Sequence, residues 1–327
     1  MKRSLVAVPL VVVIAVGLTG CIPPNLRTAA EELVVDDAMP EALTELAREV
    51  HTIGGATVTP TYRAAAGEVP PLAALTLDVT AGTTPQQQAA LTEAALEGLD
   101  DPVFADAATV VELRAGELPF VSLSEFAGTP AEAAARVLYL AQLVEATGAV
   151  LHAEIYGDVD GLVTTGEPAG DASRAILGNY AAVLALRDPA PDGWEWVLPG
   201  ISGSRLPSAE LAALLTTLSA SIPLAGDEFT YDAGITIGVS SGNTGSALNL
   251  RVDDAFTRWS DIVAVVRAAL PTTAVGFTSW DGATAHFSLE PCATGLITSD
   301  TDIAYVDRLL ESGVVLPATA AAGICGT

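Results

Sequence analysis

Two periodicities alternate along this chain. From Pro40 to His51, Leu43, Leu46, Ala47 and Val50 recur at helical spacing. Thr84-Pro85 opens the stretch PQQQAALTEAALEGL, and Thr129-Pro130 opens AEAAARVLYLAQLVEATG. Threonine as N-cap with proline at the first helical position is a start signal, and Gly148 ends the second stretch as a C-terminal glycine does. Further helices are expected to begin near Asp171, Ser208, Asp254 and Asp300, the third of these stopped by Pro271. Between the helices the period drops to two. In AVLHAEIYG, Ala149, Leu151, Ala153 and Ile155 alternate with Val150, His152, Glu154 and Tyr156. ALTLDVT, TVVELRAG, EWVL, ITIGVSS, ALNLRV, AVGFTSW and TAHFSLE read as strands in the same way. Asp160-Gly161 and Asp281-Gly282 are hairpin-turn dipeptides.

The helix starts fall roughly 37 to 47 residues apart, a repeat of pattern without residue identity. One helix followed by two strands recurs, most plainly over 129–165 and 254–289. This pattern predicts an α+β protein with antiparallel sheets and helices packed on one face. Two ferredoxin-like halves are expected, 38–168 and 169–327, divided at Glu167-Pro168-Ala169-Gly170. A single continuous sheet is the alternative. In each strand one set of side chains is apolar and the other polar, so the second sheet face is either wet or covered by a partner. That face would carry Glu112, Arg114, His152, Glu154 and Arg251.

The front of the chain has another character. Lys2 and Arg3 precede an apolar run from Leu5 to Leu18, which reads as a secretory signal peptide over residues 1–20. The run is too short to span a bilayer as a helix, which takes about 20 residues. Leu18-Thr19-Gly20-Cys21 resembles the lipobox of bacterial lipoproteins. The resemblance implies lipidation of the Cys21 thiol, cleavage before it, and attachment to the cell membrane on its outer side. Two acyl chains hold a protein stably where one holds it marginally. Residues 21–37, with Pro23, Pro24 and Asn25, read as a lipid-anchored tether.

Composition narrows the partners. The chain carries 14 basic and 40 acidic residues. Removing Lys2 and Arg3 with the signal leaves 12 basic against 40 acidic, a net of −28, and all 12 are arginines. Abundant alanine and near-absence of lysine resemble proteins of high-GC Gram-positive bacteria. Such acidity argues against nucleic acid and against adhesion to anionic headgroups. Cys292 and Cys325 remain after Cys21 is assigned to lipid. In an oxidising compartment they are expected to pair as a disulfide and clamp the C-terminal tail, contributing roughly 3 to 4 kcal/mol for a loop of about 34 residues.

Catalytic signatures are sparse. Without lysine after residue 20 there is no P-loop lysine, no Schiff-base lysine and no Ser-x-x-Lys pair. His51, His152 and His286 are widely separated, so no zinc site or other cofactor is expected. Gly200-Ile201-Ser202-Gly203-Ser204 misses the second glycine of a nucleophile elbow and reads as a loop. Ser241 to Ser246 reads as a hairpin loop, and Asp158-Val159-Asp160-Gly161 as a turn rather than a calcium loop. Trp194 and Trp196 flank Glu195 and point to one side, into a core or onto a glycan. These readings favour a membrane-anchored, non-enzymatic binding or scaffold module whose partner is an envelope protein or glycan. The alternative is an envelope hydrolase with a dispersed Ser/His/Asp or carboxylate site.

Overall fold

Thr84 and Thr129 each close a capping box on the helix that follows, with Gln87 and Glu132 at the third position returning the bond to the cap's own N–H. Those helices are α2 (Pro85–Leu99) and α3 (Pro130–Thr147). Gly148 ends α3 in the left-handed region at φ +71°, where a side chain is strained. A computed structural model describes residues 38–115, 119–156, 160–165, 169–189, 193–226, 234–242, 245–252, 258–269, 273–279, 286–292, 295–298, 303–313 and 315–316. The other helices are α1 (Ala38–His51), α4 (Ala169–Gly178), α5 (Tyr180–Ala185), α6 (Ala209–Ser219), α7 (Trp259–Ala269) and α8 (Ile303–Glu311). Residues 254–257 and 300–302, where the α7 and α8 starts were expected, lie outside the described residues. Asp281-Gly282, Asp158 and Val159 also lie outside them.

The first strands are β1 (Ala56–Arg63), β2 (Leu72–Val79), β3 (Ala108–Arg114), β4 (Pro119–Ser124), β5 (Leu151–Tyr156), β6 (Asp160–Thr165) and β7 (Trp194–Leu198). They continue as β8 (Ile201–Gly203), β9 (Ile235–Gly242), β10 (Gly245–Val252), β11 (Ala274–Ser279), β12 (His286–Cys292), β13 (Gly295–Thr298) and β14 (Val315–Leu316). All fourteen described strands join one sheet, laid down in chain order.

This corrects the expected pair of ferredoxin-like halves and their antiparallel sheets. Ladders run antiparallel within hairpins such as β3–β4 and β5–β6, and parallel across helices, as in β2–β3, β4–β5 and β6–β7. A helix between two strands carries the chain back along the sheet, so the next strand starts at the same end as the last and runs parallel to it. The sheet crosses the expected division without a break, because Leu162 pairs with Glu195 and Val163 with Trp196. Residues 38–327 form one compact unit.

Register keeps the buried side chains on one face. Leu75 pairs with Val111, Val111 with Leu123, Leu123 with Ile155, and Val163 with Trp196. Leu248 continues that face between Val239 and Val275. Leu43, Leu91, Val137, Leu215 and Ile262 bring the helices onto it in one continuous core. From α1 to α7, successive helices also touch one another. Gly98 of α2 lies where any Cβ would collide with Leu46 of α1, so glycine sets that close approach.

The topology has a consequence for chirality. Strand direction reverses from the β2–β3 pair to the β4–β5 pair, while the sheet grows the same way and the helices stay on one side. Successive crossovers must therefore alternate in hand, against the strong preference for right-handed crossovers. Continuous burial of one face outweighs that preference here.

Three local expectations change. Asp160 and Gly161 are the first residues of β6, paired with Tyr156 and Ile155, rather than the turn itself. Gly161 is needed in the strand because a Cβ would run into the Trp194 ring. Ile201 to Gly203 is a short strand rather than a loop, with Gly203 at φ +113° against the backbone of Ser241. Ser241 and Gly242 end β9 and Gly245 and Ser246 begin β10, paired across the ladder rather than forming the loop itself, and residues 243–244 lie outside the described residues.

Candidate functional site

The face turned away from the helices is made by the alternate residues of the same strands. It carries Thr76, Glu112 and Arg114, Ser122, His152 and Glu154, Leu162, and Glu195 and Val197 on β2 to β7. Its side chains are mostly small or polar and are half-exposed or exposed. No helix among the described residues packs on it, since the helices share the core on the opposite face.

Four of the five expected site residues form two pairs along single strands. Arg114 donates to Glu112 Oε2 from Nη2 at 2.6 Å and from Nε at 3.2 Å. His152 Nε2 stands 3.3 Å from Glu154 Oε1. Residues two apart on one strand face come within hydrogen-bond reach because both side chains lean along the strand. The pairs lie on β3 and β5 with β4 between them, so roughly 9.5 Å separates the two strands. Arg251 does not join them. It sits on β10, opposite Thr236 and Thr278, five strands beyond β5. That is on the order of 24 Å along the sheet.

Ladder register shows what local reading missed. Glu112 pairs with Ser122, Ser122 with Glu154, Glu154 with Leu162, and Leu162 with Glu195. Glu112, Glu154 and Glu195 thus stand in one cross-strand row, one carboxylate on each of β3, β5 and β7. Glu195 could have been found from its parity, since it alternates with two tryptophans. Exposed apolar side chains flank the row, Tyr156 at 46% of full exposure on one side and Val197 at 49% on the other.

The tryptophans point the other way. Trp194 and Trp196 are 2% and 1% exposed and lie in the core. Trp194 packs on Tyr139 with ring centroids 6.3 Å apart, and Arg136 lies 5.3 Å over its ring. Its indole N–H donates to Asp188 Oδ1 at 3.1 Å. Neither ring is presented to a glycan. Burial raises the Tyr139 hydroxyl pKa well above the ordinary tyrosine value, with the nearby Asp188 charge adding to it.

The remaining chemistry is dispersed. His152, Thr164, Val197 and Ser202 share one row, which puts Ser202 three strands from His152. About 14 Å is too far for a nucleophile and its base, which need roughly 3 Å. Ser202 Oγ lies 3.4 Å from the Val239 carbonyl instead. His51 Nδ1 is 3.1 Å from the Ala56 carbonyl oxygen, and His286 is described only as a strand position opposite Thr278. No cluster of three metal-ligating side chains occurs among the described residues. The carboxylates held below their usual range are helix caps: Glu132 through hydrogen bonds from Thr129, and Glu210 through its own backbone N–H and then Ser208. Cys21 and Cys325 lie outside the described residues, and Cys292 is described only as the last position of β12.

No protein-family model matches the sequence, and no curated protein or solved structure is detectably similar to it. Among the described residues, no helix is long and apolar enough to cross a membrane.

Proposed function

We propose that this protein is a bacterial lipoprotein, held on the outer side of the cell membrane by lipid on Cys21, and that it acts as a binding scaffold rather than an enzyme. The observation that carries the scaffold reading is the one-sided covering of the sheet across β2 to β7. Over these strands the helices bury one face, while the other keeps polar and scattered apolar side chains at its surface. A face of that extent suits a protein partner better than a small molecule, which is usually held in a concave pocket. The separation of Ser202 from His152 counts against that pair as hydrolytic machinery.

Photo-crosslinking in intact cells tests the reading. A photoreactive residue at Val197 should capture one dominant envelope protein, and one at the exposed helix position Glu97 should not. Equal capture from both positions overturns the assignment of the face. For the anchor, Cys21→Ala should release the protein from the membrane fraction, and retention of the variant would contradict lipid attachment.

A further inference from the structure

We infer that the open face binds a polyproline-II segment carrying a basic residue at every third position, an inference that rests on the scaffold reading above. The argument is one of spacing. Glu112, Glu154 and Glu195 occupy one row on β3, β5 and β7, so neighbouring carboxylates repeat every two strands, about 9.5 Å. Sheet twist turns successive strands about the row itself, so it changes the direction of the side chains without changing their spacing along the row.

Few regular peptides match that interval. An extended strand repeats its side chains on one face at about 6.7 Å. An α-helix returns to one face after seven residues, at about 10.5 Å, and is a further ångström out of step at each repeat. Polyproline II has three residues per turn and repeats at about 9.3 Å. It also needs no hydrogen-bond partner for its backbone, so it can cross the strands without an exposed sheet edge. Prolines between the cations would lie on Tyr156 and Val197, which are exposed on either side of the row, and aromatic surfaces are what polyproline ligands use. The row already holds Arg114 against Glu112 and His152 against Glu154. Exposed pairs of this kind contribute about 0–1 kcal/mol, so exchange for a ligand cation costs little. Glu195 has no such partner among the described residues and should be the strongest single contact.

The test uses the purified full chain and three synthetic fifteen-residue peptides, each with five arginines among prolines and glycines. One places arginine at every third position, one at every second, and one in a single block. Fluorescence anisotropy at physiological salt should give at least tenfold tighter binding for the three-residue spacing. The combined variant Glu112→Gln, Glu154→Gln, Glu195→Gln should lose that preference while keeping its melting temperature. Equal affinity for all three peptides, no binding, or a preference that survives the combined variant would each overturn the inference. The crosslinking above separates the two claims: if Val197 captures a partner whose binding segment lacks the spacing, the scaffold stands and this ligand class falls.

Discussion

The two faces of the sheet are built from the same strands and fail differently. On the helix side most alternate residues are apolar, and glycine appears where two elements would otherwise collide, as at Gly161 beneath Trp194. On the other side, over β2 to β7, the intervening residues stay half-exposed or exposed. Side chains on the first face determine whether the chain folds. Those on the second are free to be chosen for what they meet. The contrast gives a working rule for a one-sided sheet: expect stability to follow the inward residues and binding to follow the outward ones.

Substitutions can break or sharpen that contrast. The largest expected loss is at the fully buried Trp196, where Trp196→Ala should cost about 3–5 kcal/mol, read as a lowered denaturation midpoint. A smaller effect is expected at Gly161→Ala, which pushes a methyl group toward the Trp194 ring and should cost about 1–3 kcal/mol. Thr129→Ala removes the cap of α3 and should cost about 1 kcal/mol. Outward changes come last: Glu154→Gln and Val197→Thr should each stay within about 0.5 kcal/mol of the parent, while weakening capture of the partner. An outward variant as costly as Trp196→Ala would dissolve the contrast.

One cap adds a pH signature. Glu132 is held below the ordinary carboxylate range because Thr129 donates to it. Its contribution to stability is present above the unfolded value of about 4.3 and is lost as pH falls through the lower, folded value. The equivalent cap on α2 uses Gln87, which does not titrate. Denaturation followed from pH 6 down to pH 2 should therefore lose less stability in Glu132→Gln than in the parent, and identical profiles would remove Glu132 from the acid response.

Local structure was legible where chemistry is local. The α2 and α3 boundaries follow from Thr-Pro starts and a glycine stop, and the strand parities follow from alternation. β1 escaped because Pro60 sits in its middle, which is tolerated only because β1 borders the sheet. β8 escaped because three residues show no period. Strand order was not legible at all. A helix followed by two strands fixes each hairpin but does not say where the next strand is laid. For the same reason the sequence groups Arg251 with residues far from it, and, although parity places Glu195 on the outward face, only the register puts it in one row with Glu112 and Glu154.

Carboxylate labelling tests the central claim most directly. Carbodiimide coupling, read by mass spectrometry, would be compared between purified protein and intact cells. Glu154 and Glu195 should label in the purified protein and become protected in cells, while the exposed Glu49 on α1 and Glu97 on α2 label in both. Unchanged labelling of Glu154 and Glu195 in cells would mean that no partner covers the open face, and the account would be wrong.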